Sequence, residues 1–599
     1  MRTAILKNST YLAGVAALAI AGSTPALAVD LNFDSGITGS FDSTYTIGGA
    51  IRTSGRDPRL VGVVNGGSAF SINNDDGDLN FDKGDFTSLA VRGINELSLK
   101  AGDLEFFGRV NYFYDYVNND KALARTQLDT YAKHRAGLRI DLLDLYVTGK
   151  FNAGTVPMSV RIGNQVLNWG ESTFIQNGIN VINPADVTKL RSAGSELREG
   201  LLPVPIAQFS ASLTPNFSVE AFYQASWKAT EIEAAGTFFS NNDFASPGGK
   251  FVYLGFGIPS GPRDNPSTNA GLPVGNIVNR GPDREGKDSG QFGLAARFLI
   301  PDLNDTELGA YFVRYNSRLP IVGAHTGTLA GLATGNYAAT ANYYREYPNG
   351  IKLVGGSLST ALGESGIALQ GEYAYHWDQP LQVEDVELLF AALSPLDPYL
   401  GFPAAIQPVF GRNQLGPQAF NTDAPGYRRK AYSTGQATLT DIFPTIGFFD
   451  QIVVLGEVGG MWVHGMESKS VLRYEGPNTV TNANGFYTTI ARQPATESMQ
   501  GFADAFSWGY RLAIRGDISN AIGAVTLQPT VAFNHDVNGT SPTPISSYVE
   551  GRQSLFLGMG ANYLNNWQAN LGYTTNWGGG KYNMLRDRDF VSLTVSYSF

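Results

Sequence analysis

The chain has 599 residues, a formal net charge of −10 and 70 glycines; 12% of its residues are aromatic and only 16% are charged. Cysteine is absent, which excludes a disulfide framework and chemistry that needs a thiol or a cysteine-bound zinc. The acidic balance argues against a nucleic-acid partner. A composition rich in glycine and aromatic residues and poor in charge is typical of outer-membrane β-barrels.

The first 28 residues predict a secretory signal peptide. Arg2 and Lys7 supply positive charge, residues 12–21 are apolar, and residues 26–28 form an Ala-Leu-Ala cleavage pattern. We expect residues 29–599 to form one domain, with the net charge moving from −10 to −12 on loss of Arg2 and Lys7. No later apolar run reaches the roughly 18 residues of a membrane-spanning helix. A membrane protein with this sequence would therefore be a barrel.

The mature chain contains segments of about ten residues in which apolar and polar side chains alternate, the pattern of two-faced strands. Between the first and the last, these segments form pairs with very short turns, and long polar stretches separate the pairs. The segments cover residues 43–52, 91–101, 104–116, 137–150, 156–165, 206–214, 217–227, 291–300, 307–315, 351–362, 367–377, 431–442, 452–463, 506–518, 525–536, 553–564, 567–577 and 590–599.

An even strand number, with short turns at one end and long loops at the other, is the topology of single-chain outer-membrane barrels. The sequence therefore predicts an all-β fold, a transmembrane antiparallel up-and-down β-barrel of about 18 strands with long extracellular loops. A soluble all-β protein is the alternative, although no soluble sandwich needs so many strands in one run. Six tryptophans near predicted strand ends indicate an interfacial girdle: Trp227, Trp377, Trp462, Trp508, Trp567 and Trp577.

The segment between the fifth and sixth strands, residues 166–205, is too patterned for an ordinary surface loop. Asn183 and Pro184 predict a helix start, and a second helical turn is expected near Ser195. We expect this loop to fold into the lumen, partly as helix, and to form a constriction. The alternative is that its charges only fasten it to the wall. The charged residues concerned are Asp186, Lys189, Arg191, Glu196, Arg198 and Glu199.

Charged residues within the predicted strands are expected to face the lumen, because a charge facing lipid costs about 2 to 4 kcal/mol at mid-depth. They either contact a solute or solvate and brace the wall. The proposed pore contacts are Arg109, Arg139, Arg161, Arg511 and Arg515. Further inward charges are Glu96, Lys100, Asp141, Asp144, Glu220, Glu372 and Glu457.

The last ten residues, FVSLTVSYSF, alternate strictly and end on an aromatic residue. This segment resembles the C-terminal targeting strand of bacterial outer-membrane barrels, which pairs with the first strand and closes the sheet. We therefore assign Tyr597 and Phe599 to membrane assembly, with the barrel assembly machinery and outer-membrane lipid as the partners.

Two other clusters suggest a metal site and an enzyme. Asp75, Asp76, Asp78 and Asp82 are candidate calcium ligands, but they do not have EF-hand spacing, and a solvated acidic loop is the alternative. His535 and Asp536 suggest a lipid hydrolase embedded in the barrel. The five histidines are scattered, and neither a G-x-S-x-G nor an H-E-x-x-H motif occurs. The prediction is a protein that is not an enzyme and has no cofactor.

Several stretches are similar to the proteobacterial outer-membrane family catalogued as domain of unknown function 1302. They are FDSTYTIGGAIR at residues 41–52, DDGDLNFDKGD at 75–85 and VLNWGESTFIQNGINVINPADVTKLR at 166–191, with shorter matches at 314–320, 346–353, 368–382 and 535–542. The resemblance implies an outer-membrane barrel associated with a lipoprotein and with an inner-membrane transporter of the resistance-nodulation-division type. It also implies a connection with hydrophobic organic compounds such as steroids, fatty acids or solvents.

Together these features predict a channel in the outer membrane of a Gram-negative bacterium that passes a small organic solute of hydrophobic or amphipathic character. Three alternatives stay open: a general porin for polar solutes, a barrel-embedded lipid hydrolase, and a surface receptor or adhesin.

Overall fold

The computed structural model describes residues 29–257, 276–363, 365–491 and 493–599. The predicted signal peptide, residues 1–28, lies outside these ranges. The described chain forms a closed antiparallel sheet whose barrel strands are β1 (Thr38–Arg52), β2 (Phe86–Ala101), β3 (Leu104–Asp115), β4 (Leu138–Ala153), β5 (Val156–Gln165), β6 (Val204–Thr214), β7 (Phe217–Gln224), β8 (Gln291–Ile300), β9 (Thr306–Tyr315), β10 (Ile351–Ala361), β11 (Ala368–Gln382), β12 (Tyr427–Ile446), β13 (Phe449–His464), β14 (Phe506–Ile522), β15 (Val525–Asn538), β16 (Arg552–Tyr563), β17 (Trp567–Gly578) and β18 (Phe590–Ser598).

Strand β18 pairs with β1 from Thr44 opposite Ser598 to Arg52 opposite Phe590, and this pairing closes the barrel. Backbone hydrogen bonds of 2.9 and 3.0 Å between Ser43 and Phe599 continue the ladder past the end of β18. The short strand Val29–Asn32 pairs with the start of β1. The predicted fold, including the 18 strands and the pairing of the last strand with the first, is confirmed.

Several strands are longer than predicted, most clearly β12, which spans residues 427–446 where 431–442 was expected. The alternating pattern marks the part of a strand with one apolar and one polar face, whereas the paired strand continues at both ends, into residues 427–430 toward the loop and 443–446 toward the short turn. In the opposite direction, β7 ends at Gln224 and leaves Trp227 in a loop. There the Trp227 indole donates to the Ser317 carbonyl at 3.0 Å and packs on Tyr347, so its assignment to the girdle is wrong.

The outer surface of the barrel is apolar and the inner surface is largely polar. On β4, for example, Ile140 is 76% exposed on the outside, whereas its neighbour Arg139 is 5% exposed on the inside. Four tryptophans of the predicted girdle, Trp377, Trp462, Trp567 and Trp577, are exposed. This polarity suits lipid outside and water inside.

The long connections lie at one end of the barrel and contain short elements of their own. Five short strands form a second sheet: Phe251–Tyr253, Ile277–Arg280, Ile321–His325, Asn342–Glu346 and Asp423–Ala424. The α-helices are Asp76–Leu79, Tyr116–Asn119, Thr130–Ala136, Val187–Arg191, Leu197–Gly200, Leu329–Ala333, Tyr337–Thr340, Asp385–Leu393 and Phe486–Ile490. Turns of 3-10 helix are Pro58–Leu60, Val63–Asn65, Ser394–Tyr399, Ala404–Ile406, Phe410–Arg412, Met499–Gly501 and Gly580–Tyr582.

Among the described residues, no helix is both long enough and apolar enough to cross a bilayer. Apolar side chains are also buried inside the barrel. One cluster joins Trp169, Ile179 and Ile182, from the connection between β5 and β6, to inward side chains such as Val313 and Leu353. The lumen is thus filled on one side by the segment predicted to enter it.

Candidate functional site

Residues 166–203 connect β5 to β6 and run through the barrel interior; we call them the lumenal loop. The two predicted helical turns are present as Val187–Arg191 and Leu197–Gly200. The first begins after Asp186, whose carboxylate accepts the Lys189 N–H at 2.9 Å, rather than after Asn183 as predicted. Asn183 instead accepts the N–H of Leu167 at 2.8 Å and donates to the carbonyl of Leu202 at 3.0 Å. Its amide joins the two ends of the loop, and this long-range role prevails over its local capping preference.

Glu372 on β11 fastens the first part of the lumenal loop to the far wall. Its carboxylate accepts the backbone N–H groups of Glu171 at 2.6 Å, Ser172 at 3.1 Å and Ile179 at 3.0 Å. Gln436 on β12 donates to the same carboxylate at 2.7 Å. A buried carboxylate is costly unless such donors surround it, and hydrogen bonds to an ionised acceptor are strong. Glu372 therefore acts as a clamp on the loop backbone.

Glu457 on β13 forms a second clamp beside the first. It is 1% exposed and accepts the N–H groups of Thr173 at 2.8 Å, Phe174 at 2.7 Å and Ile175 at 2.8 Å. Thr438 on β12 donates to it at 3.2 Å. Together the two glutamates hold six backbone N–H groups of a segment that has no regular secondary structure to satisfy them.

Two glycines let the loop come this close to Glu372. A Cβ added at Gly170 or at Gly178 would collide with the carboxylate oxygens of Glu372. Gly170 also has a φ of +91°, in the left-handed region that favours glycine. The close approach to Glu372 therefore requires glycine at position 170 of N-W-G-E and at position 178 of Q-N-G-I-N, both in the long central motif of the sequence.

Trp169 anchors the loop on the wall formed by β7 to β9. It is 2% exposed, and its indole N–H donates to Glu220 at 2.9 Å. Its ring centroid lies 5.1 Å from that of Phe222 and 5.9 Å from that of Tyr311. A large aromatic side chain with its polar atom satisfied stabilises such an interface strongly.

Arg139 on β4 holds the start of the first loop helix. Its guanidinium contacts Asp186 at 3.0 Å and Asp141 at 2.8 Å and also pairs with Glu231; Lys189 pairs with Asp141. Burial raises the pKa of Asp186, and the charge of Glu231 adds to this effect. In Glu231, the neighbouring guanidinium groups outweigh burial and lower the pKa. The predicted residues Asp186, Lys189 and Arg139 therefore meet in one buried ion network.

The second loop helix is held by β2 and β3. Glu199 pairs with Arg92 at 3.2 Å and accepts a hydrogen bond from Asn111. Arg198 pairs with Glu96 at 2.6 Å and with Glu196 at 2.7 Å. The predicted Arg109 completes the network, because it contacts both Glu96 and Asp144.

The other predicted loop residue, Arg191, pairs with Glu233 at 3.6 Å and stacks on Phe239. The charged side chains of the lumenal loop thus form ion pairs with the residues around them. This agrees with the alternative that the charges fasten the loop to the wall. Narrowing of the lumen by the same loop is compatible with this bracing, since a loop that crosses a lumen must be held there.

The wall from β14 to β17 is organised differently. The hydrogen bonds of its inward side chains run within the wall, as from Gln528 to Asp517 at 2.9 Å and from Asn534 to Ser554 at 3.0 Å. The lumenal loop reaches this wall through Phe174, which packs with Phe556 against a small apolar cluster of β13 to β15. Of the predicted arginines here, Arg511 pairs with Asp536 at 2.6 Å, whereas Arg515 has, among the described residues, a single ion pair, to Asp517 at 3.3 Å. Arg161, on β5, stacks on Tyr146 and donates to Thr148.

The candidate calcium ligands divide into two groups. Asp78 pairs with Arg52 and Arg588, and Asp82 pairs with Arg56, so these two carboxylates serve arginines. Asp75 and Asp76 lie with Asp243 in a group whose ligand atoms are within 4.8 Å of one another.

The proposed hydrolase pair does not form. Asp536 points to Arg511 and Arg552, at 2.6 and 2.7 Å. The His535 ring instead lies against Tyr510, with Nδ1 3.4 Å from the hydroxyl. Adjacent residues on a strand face opposite sides, which accounts for the separation.

The sequence was compared with known proteins. The family model described as a protein of unknown function, DUF1302, matches residues 9–599, and comparison with curated proteins gives no match. Among solved structures, the chain is similar to the BenF-like porin of Pseudomonas fluorescens Pf-5 at 8% identity and a TM-score of 0.42, covering 94% of this chain and 98% of that one. It is also similar to OccK2 (OpdF) of Pseudomonas aeruginosa, solved with glucuronate, at 9% identity and a TM-score of 0.39, with coverages of 94% and 98%.

A third similar structure is OccAB3 of Acinetobacter baumannii, at 12% identity and a TM-score of 0.38, covering 93% of this chain and 98% of that one. These identities and TM-scores are too low to carry an argument about this chain. The family match, by contrast, spans nearly the whole sequence and confirms the resemblance found in its motifs. The chain therefore belongs to the DUF1302 family of proteins of unknown function.

Proposed function

We propose that the protein is an outer-membrane channel of a Gram-negative bacterium that passes a small organic solute. The barrel has an apolar outer face and a largely polar inner face, and a barrel of 18 strands encloses more space than wall side chains alone can fill. Outer-membrane lipid and the barrel assembly machinery are partners in this proposal.

The observation that carries the proposal is the clamping of the lumenal loop by Glu372 and Glu457. A loop drawn across a barrel and fixed to its far wall narrows the lumen and leaves passage beside it. On the opposite side lie the inward residues of β14 to β17, among them Arg511 and Arg515. We propose that this wall and the facing loop line the passage. On the loop side, Arg109 and Arg139 act in bracing or solute contact, and Arg161, which stacks on Tyr146 and donates to Thr148, braces the wall.

The solute is proposed to be hydrophobic or amphipathic. Support comes from Phe174 and Phe556, two partly buried rings at the meeting of the loop and the β14 to β17 wall. The polar side chains of that wall, such as Gln528 and Asn534, favour the second candidate, a general porin for polar solutes. An outer-membrane lipoprotein and a resistance-nodulation-division transporter of the inner membrane are proposed as partners in onward transfer, on the family resemblance alone.

The test is solute flux through the purified protein in lipid vesicles. We expect the protein to conduct ions in planar bilayers and to speed entry of small amphipathic aromatics, such as benzyl alcohol derivatives, more than that of a pentose of similar mass. Faster pentose entry would favour the general porin. Absence of conductance and of any solute flux from a correctly folded barrel would refute the channel proposal.

A further inference from the structure

Arg515 on β14 is a buried cation with unused hydrogen-bond donors. It is 1% exposed, and its Nη2 lies 3.3 Å from Asp517. Within the described parts of the chain, its Nε and Nη1 are buried and have no hydrogen-bond partner. A buried charged group with unsatisfied hydrogen-bond donors costs free energy. A ligand that carries hydrogen-bond acceptors would remove this cost by binding to Arg515.

Two other inward arginines are engaged more fully. Arg139 contacts Asp186 and Asp141 at 3.0 and 2.8 Å, and Arg511 contacts Asp536 at 2.6 Å. The carboxylate near Arg515 is itself shared, because Asp517 also accepts from Gln528 at 2.9 Å. The Asp517 charge partly offsets that of Arg515, but it does not use the remaining donors.

An apolar cluster begins beside Arg515. The strand register places it opposite Val453 on β13 and Thr530 on β15, so all three share the inner face. Val453 belongs to the cluster on which Phe174 and Phe556 pack. Arg515 is therefore a cross-strand neighbour of the apolar cluster on which the two phenyl rings pack, one from the wall and one from the lumenal loop.

We propose that Arg515 binds the carboxylate of an amphipathic organic anion in the lumen, with the apolar part of the anion against Phe174 and Phe556. Guanidinium groups bind carboxylates through strong charge-assisted hydrogen bonds, and phenyl rings favour an apolar or aromatic body. The inference rests on the channel function and specifies its solute class.

The experiment measures block of the single-channel potassium chloride current by benzoate and by its neutral counterpart benzamide. We expect benzoate to block the wild-type channel at a lower concentration than benzamide. The variant Arg515→Gln should raise the half-blocking concentration of benzoate by about tenfold or more, the order expected for lost hydrogen bonds to a charged group. The matched variant Arg161→Gln removes the same charge from the inner wall. It should raise the half-blocking concentration of benzoate only about twofold, because a distant positive charge attracts benzoate weakly across salt solution.

Equal weakening by the two variants would overturn the site, because general lumen charge would then explain the block. Equal block of the wild-type channel by benzoate and benzamide would also overturn it while leaving the channel function standing. A channel without conductance would instead refute the proposed function itself. If Arg515→Gln does not assemble, Arg515→Lys keeps the charge and replaces the guanidinium donors. We expect about threefold weaker benzoate block from it, and unchanged block would overturn the assignment.

Discussion

Two sectors of the same barrel use inward polar residues in different ways. From β1 to β13, inward side chains such as Glu372, Glu457 and Arg139 are bound to the lumenal loop. From β14 to β17, they are bound to one another, as Asn534 is to Ser554. The alternating pattern is the same in both sectors, so strand periodicity alone does not distinguish a wall that holds a loop from one that faces the passage.

The difference lies in what is buried with the charges. The loop brings backbone N–H groups, carboxylates and the Trp169 indole into the lumen. Each forms hydrogen bonds or ion pairs with inward side chains of β1 to β13, which we call the anchored sector. The β14 to β17 wall meets the loop around Phe174. The connection between β15 and β16 meets it as well, where Asn177 donates to Ser547 at 2.8 Å. A narrowed lumen with one fixed side and one less occupied side is the result.

The largest effect is expected at the seam between the sectors, where β18 pairs with β1. Deleting Phe599 removes two backbone hydrogen bonds to Ser43 and the ring that stacks near Tyr45 and Tyr597. We expect several-fold less assembled barrel in the outer membrane, measured by heat-modifiable mobility in gels. The matched variant Phe599→Tyr keeps both features and should assemble normally. Normal assembly of the deletion would mean that the sectors close without this residue.

Removing the loop would abolish the difference between the sectors. Replacing residues 177–198 by a short glycine-serine linker should raise the single-channel conductance several-fold, because the obstruction and its ion networks are lost together. The control is the heat-modifiable mobility of the same preparation, which reports an intact barrel. A conductance equal to that of the wild type would contradict the constriction.

Loosening the clamps tests the anchored sector more gently. The double variant Glu372→Gln, Glu457→Gln keeps the size of both side chains but replaces one acceptor oxygen of each by an NH2 group, which cannot accept a hydrogen bond. At least one backbone N–H at each site then loses its acceptor, because both oxygens of each glutamate accept from the loop. The remaining bonds go to a neutral oxygen and are each weakened by about 1 kcal/mol or less. We expect a conductance raised by up to about twofold, with more frequent current fluctuations. Glu105→Gln makes the same change in an exposed ion pair with Lys150 and should have no effect. If the double variant has the wild-type conductance and no additional current fluctuations, other contacts suffice to hold the loop.

The smallest effect concerns the outer loops, and it separates them from the lumenal anchor. Burial raises the pKa of Asp385 to about 7 and that of Glu475 well above its usual range; the Asp385 N–H donates to Glu475 at 2.7 Å. The folded loop thus holds a proton that the unfolded loop releases near pH 4. The free energy of local unfolding should therefore fall as pH rises from about 4 to 7.

Hydrogen exchange of helix Asp385–Leu393, corrected for intrinsic rates, measures this change between pH 5 and 8. We expect it to be about 1 to 2 kcal/mol and to become smaller in Asp385→Asn, where the buried Glu475 still holds a raised pKa. The N–H groups bound to Glu372 and Glu457 should not follow the same curve. A parallel response at both places would mean that the outer loops, rather than the wall glutamates, hold the lumenal loop.

Much of the fold was predictable because period-two alternation and turn length are local properties. The strand number, the closing pair and the partly helical lumenal loop follow from them. The clamps were not predictable. Glu372 and Glu457 stood among other inward charges, and nothing local relates residue 171 to residue 372. Gly170 and Gly178 held a signal, since two glycines in a loop motif indicate close approach of backbone to another group.

Local rules failed where a side chain had a distant partner. Asn183 has the sequence context of a helix cap but joins the two ends of the loop. Trp227 has the position of a girdle residue but packs among loops. The pairing of Arg139 with Asp186, or of Arg198 with Glu96, depends on how the loop crosses the barrel, which only the assembled structure specifies.

The most direct test of the account is the accessibility of single cysteines on the two sectors, in a chain that has none of its own. Ala374 on β11 is 0% exposed beneath the lumenal loop, and Asn570 on β17 is an inward residue of the opposite wall. With a negatively charged methanethiosulfonate reagent, the Asn570→Cys channel should lose a substantial part of its current within minutes, whereas Ala374→Cys should not react. Rapid modification of Ala374→Cys, or protection of Asn570→Cys, would contradict the claim that the loop is fixed to one side of the lumen and leaves passage along the other.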